Sequence, residues 1–307
     1  MLKPPALKSG DRIAIVSPGS PFARDEFERG VEELRRLGFE AVWDETIFQR
    51  HGYLSGLAET RAAAFTRAWE DPSVSALIAA RGGYGSVQLL PLLDCARIRR
   101  TPKPFIGYSD MTSLLTWLTV GCGIVGFHGP MIEGRLAKGA EGFDRASFMG
   151  ALTVAGPLGE LAPGGLAVLR KGEARGPLFG GTLTQLTASL GTPYAFDPSV
   201  EFILLLEEVN ERPYRLDRML TQLRLAGVLS RARGIIVGEM RGCDEGESGP
   251  LAQETVREVL RDFPGPIVFG FPTGHTVGPC WTVPLGVEVR IVADDRPRVI
   301  IEEAAVA

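Results

Sequence analysis

The sequence is poor in the residues that carry metal and redox chemistry. It holds three histidines, His51, His128 and His275, and four cysteines, Cys95, Cys122, Cys243 and Cys280, with no Cys-x-x-Cys pair. A structural zinc site needs ligands a few residues apart, so neither a metal nor a metal cofactor is expected. The scattered cysteines read as free thiols, mostly buried. No apolar run approaches the ~20 residues that span a bilayer, and the opening Met1 to Lys8 has no apolar core of a secretory signal. A membrane partner is therefore not expected, and the cytoplasm is the expected compartment. Basic residues (33) are fewer than acidic ones (37), for a formal net charge of −4. With no basic excess to neutralise phosphates, nucleic acid is not an expected partner. The glycine loop Arg81–Gly85 lacks the Gly-x-Gly-x-x-Gly spacing and the Lys-Ser/Thr of a nucleotide phosphate loop, and the residues around Ser109 lack the Gly-x-Ser-x-Gly elbow of α/β-hydrolases.

What is present is a soluble globular composition, 45% hydrophobic and 23% charged, over 307 residues. That length suits two domains of ordinary size. In the first ~135 residues, apolar runs alternate with helical spacings. Arg12–Ser17, Phe39–Trp43, Val74–Ala80, Phe105–Tyr108 and Ile124–Phe127 read as strands. Phe27, Val31, Leu34 and Leu37 mark a helix that Gly38 stops. Alternation of this kind predicts a doubly wound parallel sheet of the flavodoxin or Rossmann type. The pattern loosens over 136–165, read as an interdomain connection. Residues 166–307 read as a β-rich α+β domain that ends in a hairpin pair over Gly286–Val292 and Arg298–Glu302.

Chemistry is concentrated in a few loops. In Pro104–Leu115 a short apolar strand runs into an amphipathic helix, with Ser109 at the junction. A serine there either caps the helix or is lifted out as a nucleophile, with the Asp110 amide facing an oxyanion. Arg81-Gly82-Gly83-Tyr84-Gly85 follows the third strand and allows a close backbone approach to a ligand. In parallel sheets ligands bind beyond the carboxyl ends of strands, where both loops lie. Glu207 and Glu208 end the apolar strand Glu201–Leu206. Alternation puts them on opposite faces without saying which one faces a site. His275 sits in a loop suited to general-base work. His51 reads as solvated, and His128 as a structural hydrogen-bonding residue.

Six segments, in chain order, resemble the LD-carboxypeptidase family. They are Arg81–Gly85, Gly107–Asp110, Phe127–Pro130, Gly180–Leu183, Leu206–Tyr214 and Gly270–His275. This family of serine peptidases contains murein tetrapeptide carboxypeptidases and microcin C immunity proteins. The resemblance implies a Ser–Glu–His triad shared between two domains, with Ser109 as nucleophile, Glu207 as acid and His275 as base. It implies oxyanion donors at the amides of Gly83 and Asp110. Arg81, Gly82 and Tyr84 of the same loop are expected to contact the substrate, with a salt bridge inside the protein the equal alternative for Arg81. It further implies homodimers, no cofactor, and release of C-terminal D-alanine from small murein peptides during cell-wall recycling. The alternatives are cleavage of peptidyl- or aminoacyl-nucleotides, as in the immunity branch, and non-catalytic ligand binding in the cytoplasm. Two positions depart from the family pattern: Thr182 stands where Asn is usual, and Thr273 where an aromatic is common.

Overall fold

A computed structural model describes residues 1–246 and 249–307. The first part of the chain runs β1 (Arg12–Val16), α1 (Arg24–Arg36), β2 (Glu40–Trp43), α2 (Ala58–Glu70), β3 (Ala76–Ala79), α3 (Cys95–Ile98), β4 (Phe105–Gly107), α4 (Thr112–Thr116) and β5 (Gly126–His128). These five strands pair in parallel, as expected of βαβ units. β3 is buried along its whole length, which is why it reads as a continuous apolar run and not an alternating one. α1 turns Phe27, Val31 and Leu34 to the core, with Asp25 and Glu26 in its first turn and Arg35 and Arg36 in its last, matching the helix dipole.

The chain continues through α5 (Arg145–Thr153), β6 (Gly159–Leu161), β7 (Ala167–Arg170), β8 (Gly172–Thr182), α6 (Leu183–Ser189), β9 (Phe202–Glu207), α7 (Pro213–Leu225), β10 (Ala232–Gly238), α8 (Ala252–Val259), β11 (Ile267–Phe271), β12 (Val283–Leu285), β13 (Glu288–Ala293) and β14 (Arg298–Ile301). The second sheet has the order β6-β14-β13-β8-β9-β10-β11-β7. Its centre, β8 to β11, is parallel, and its flanks are antiparallel. The two-sheet α/β fold expected from the pattern is therefore present, including the β13–β14 hairpin.

Three details differ from the sequence reading. β12 leaves the second sheet and pairs antiparallel with β5, closing the edge of the first sheet; three residues are too short for a periodicity. α4 is buried on every side and not amphipathic, because the second sheet covers the face that would otherwise meet water. Cys95 and Cys122 lie side by side, with Cα atoms 5.5 Å apart, since α3 lies beside the turn that follows α4. Separation along the chain carried no sign of that contact. Cys243 and Cys280 are free and buried, as expected.

Candidate active site

Ser109 occupies the turn between β4 and α4, half-buried, with φ 62°. A left-handed backbone costs an L-residue roughly 1–2 kcal/mol. Among the described residues neither Ser109 nor Asp110 caps a helix of its own turn. The Asp110 carboxylate, buried, instead accepts from the amides of Gly85 (3.2 Å) and Ser86 (2.9 Å). Burial raises its pKa, against those hydrogen bonds and the charge of Arg61. The serine turn and the glycine loop are thus tied to each other.

The loop comes close to the serine because Gly82 has no side chain. A Cβ there would stand 3.0 Å from that of Ser109. Gly83 has φ 84°, and a Cβ on it would overlap Ser20. Buried Arg61 braces the loop from behind, donating to the carbonyls of Gly56 (3.0 Å), Gly85 (2.9 Å) and Pro18. Among the described residues, the amides of Gly83 and Asp110 donate to no protein acceptor, so both are available to an oxyanion.

The second sheet supplies the other half. Glu207 is 1% exposed at the end of β9. Its Oε2 accepts from His275 Nδ1 (2.8 Å) and from the His275 main-chain amide (2.9 Å). Its Oε1 accepts from the Thr182 hydroxyl. Burial pushes this carboxyl up, but the charge and hydrogen bond of His275, with His128 and Thr182, outweigh it and hold the group at about 2. Gly274, with φ 68°, permits the approach, since a Cβ there would lie 2.5 Å from the carboxylate. Glu208 points the other way. It takes the Thr184 amide (2.8 Å) and hydroxyl (2.6 Å) at the start of α6, so the parity argument separates the two carboxylates as alternation requires.

The halves meet at Tyr108 and Thr112. The Tyr108 ring packs edge-on against His275, with centroids 5.0 Å apart. Gly181 lets β8 reach α4, where the Thr182 amide donates to Thr112 Oγ1 at 3.1 Å. Among the described residues Ser109 makes no hydrogen bond to His275. Arg81 is engaged by Glu133 (3.0 Å) and by the carbonyl of Pro21 (2.9 Å). Tyr84 is exposed beside Tyr53, with ring centroids 5.9 Å apart. His51 is exposed. Sequence reasoning missed Arg61 and the covering role of Tyr108; a buried arginine bonded to carbonyls leaves no motif.

His128 is fully buried behind the carboxylate. Its Nδ1 lies 3.0 Å from Thr273 Oγ1, which donates to the Trp281 carbonyl, and its Nε2 lies 3.9 Å from Glu207 Oε1. Thr273 therefore accepts from the Nδ1–H of the imidazole. Burial pushes it down to about 4, against the pull of Glu207. Between pH 6.5 and 4 the unfolded chain binds a proton at His128 that the folded chain does not. Stability should fall as pH falls through that window, by about 3 kcal/mol, and this contribution should level off below it. The depressed Glu207 adds a further loss between its ordinary 4.5 and about 2. Urea midpoints measured from pH 7 to pH 4 should show the first limb, and His128→Asn should flatten it. An unchanged limb in that variant would place the acid sensitivity elsewhere.

Comparison with known proteins now bears on this geometry. The description LD-carboxypeptidase N-terminal domain matches residues 13–129, and LD-carboxypeptidase C-terminal domain matches residues 175–291. The probable murein peptide carboxypeptidase of Bacillus subtilis is 34% identical over 97% of this chain and 94% of its own. The microcin C7 self-immunity protein MccF of Escherichia coli is 29% identical over 97% of this chain and 95% of its own. A solved structure of MccF with glutamyl sulfamoyl guanosine superposes with a TM-score of 0.91 at 27% identity, covering 100% of both chains. The muramoyltetrapeptide carboxypeptidase from Oxalobacter formigenes gives 0.81 at 28% identity, covering 94% of this chain and 97% of its own.

Proposed function

This chain belongs to the LD-carboxypeptidase family, and on that basis we propose that it removes C-terminal D-alanine from murein tetrapeptides through Ser109, Glu207 and His275. The class is that of a serine-type LD-carboxypeptidase. The observation that carries the residue assignment is the buried Glu207–His275 pair. A carboxylate on Nδ1 leaves Nε2 as the acceptor, and Nε2 is the nitrogen a serine proton must reach.

In this reading His275 Nε2 takes the Ser109 proton as Oγ attacks the carbonyl carbon on the acyl side of D-alanine. The amides of Gly83 and Asp110 hold the oxyanion. Collapse breaks the C–N bond, and His275 returns its proton to the leaving amine. Water then attacks the acyl-enzyme with His275 as base, releasing the shortened peptide and Ser109. Gly82 and Tyr84 line the approach. Arg81 would have to leave Glu133 to meet the substrate carboxylate. The division into domains at 135 and 166, the homodimer and the cytoplasmic setting belong to the same reading.

A second reading, hydrolysis of peptidyl- or aminoacyl-nucleotides, is favoured by the fit to MccF over the whole chain. Against it stands the lower identity to MccF, 29% against 34%. The two separate in one assay. The protein is incubated with a murein tetrapeptide and, in parallel, with aspartyl sulfamoyl adenosine, and products are read by mass spectrometry. Free D-alanine from the tetrapeptide is the expected result; cleavage of the nucleotide conjugate alone would reverse the order. Activity should also survive EDTA, and a loss that added zinc restores would overturn the serine mechanism.

A further inference from the structure

Arg135 lies beyond β5 in the first part of the chain, at the start of a short 3₁₀ turn. Its side chain is buried and crosses to the loop that carries His275. Nη2 donates to the carbonyls of Gly274 and Thr276, both at 2.8 Å, and Nη1 donates to that of Gly278 at 3.0 Å. The amide between them, Val277 N–H, is taken by Glu239 at 2.7 Å. The loop is therefore gripped by its carbonyls from one sheet and by an amide from the other. Among the described residues Arg135 has no carboxylate partner, and carbonyl dipoles answer its charge. Charge-assisted bonds in a planar fork fix direction as well as distance. The guanidinium carbon also lies 5.9 Å from the centre of the Tyr108 ring, and that ring packs on His275. Tyr108 immediately precedes Ser109.

We propose that Arg135 is the positioning residue that registers the His275 imidazole against Ser109. Glu207 fixes the tautomer and one end of the ring, but Glu207 and His275 both belong to the second sheet or its loops. Something must relate that pair to a serine on the first sheet, and Arg135 is bonded to the histidine loop while it stands on the serine's side. The proposal rests on the Ser109–Glu207–His275 reading. Misplacing a reacting group by about 1 Å can cost about 100-fold in rate, so loss of this brace should act on kcat.

The test compares the wild-type chain with Arg135→Ala and Arg135→Lys on a murein tetrapeptide, with Ser109→Ala alongside. In Arg135→Ala, kcat should fall about 100-fold while KM stays within about threefold. Guanidinium chloride, added well below unfolding concentrations, should enter the vacated space and restore at least about tenfold. Arg135→Lys lacks the fork; its kcat should lie between the two and ignore guanidinium. A proton NMR spectrum provides a readout independent of substrate. The downfield resonance of the His275–Glu207 proton should broaden in Arg135→Ala and return with guanidinium.

Wild-type kcat in Arg135→Ala, or a loss that guanidinium leaves untouched in a chain of unchanged melting temperature, would overturn the proposal. Should Arg135→Ala fail to fold, Arg135→Lys decides: lowered kcat at unchanged melting temperature supports it, and wild-type kcat overturns it. Activity persisting in Ser109→Ala would overturn the triad itself, a result distinct from any behaviour of Arg135.

Discussion

Ser109→Ala should lower kcat for D-alanine release by about 10⁶-fold, the size of loss that removing a triad serine produces in subtilisin. Residual turnover above the uncatalysed rate would come from the oxyanion amides and binding alone. The stability change should be small and separable. Ser109 has φ 62°, a conformation alanine tolerates no better than serine and glycine adopts freely. Ser109→Gly should therefore be as inactive as the alanine variant but more stable, by about 1 kcal/mol. Activity assays and thermal midpoints on the two variants check this. An active alanine variant would remove Ser109 from the mechanism. A glycine variant less stable than the alanine one would mean that the turn is not strained.

The second large effect is at the paired carboxylates. Glu207→Ala should lower kcat by about 10⁴-fold, comparable to loss of the subtilisin aspartate. It leaves His275 Nδ1 and the His275 amide without their buried acceptor. Glu207→Gln should be milder than alanine. The His275 main-chain amide pins the acceptor end of the side chain, so the glutamine NH2 is turned toward Thr182. The tautomer survives, and what is lost is the charge that stabilises the imidazolium. Glu208→Gln should keep activity within about tenfold, because Glu208 serves the first turn of α6. Its cost should appear in the thermal midpoint, at about 1 kcal/mol for a weakened cap. Equal and small activity losses at both positions would leave His275 without a partner.

Much of this fold is legible in the sequence. Parallel strands announce themselves by apolar runs such as Ala76–Ala79, and the site loops follow because chain turns at strand ends must carry glycine where backbones approach. Alternation separated Glu207 from Glu208 in direction but not in destination. The preceding residues of β9 are buried on both faces, so nothing in the strand distinguishes the site face; only the six-motif resemblance did. What stayed hidden was long-range and polar. Arg61 and Arg135 are buried through bonds to carbonyls that any sequence provides. The Cys95–Cys122 contact depends on where α3 settles against the turn after α4. Thr182 was visible as a departure from the family pattern, but its hydroxyl on Glu207 is a fact of register between β8 and β9.

The strand β12 has a consequence for how the molecule comes into being. The first sheet is nearly complete by residue 128, yet its outer edge strand is Val283–Leu285. On a ribosome, β5 must wait with unpaired edge groups, open to pairing with another chain, until residue 285 has emerged. The same delay applies beside it, where Ala307 exchanges main-chain hydrogen bonds with Pro4 and Ala6. Such distant pairings close the largest loops the chain can make and are intrinsically slow. The earliest folded species should therefore contain β1 to β5 with a sticky flank, and the step that seals the flank is the one that brings the His275 loop against Tyr108. On the proposed reading, catalytic competence and protection from aggregation should arrive together in a single closing event, once Val283–Leu285 can pair with β5.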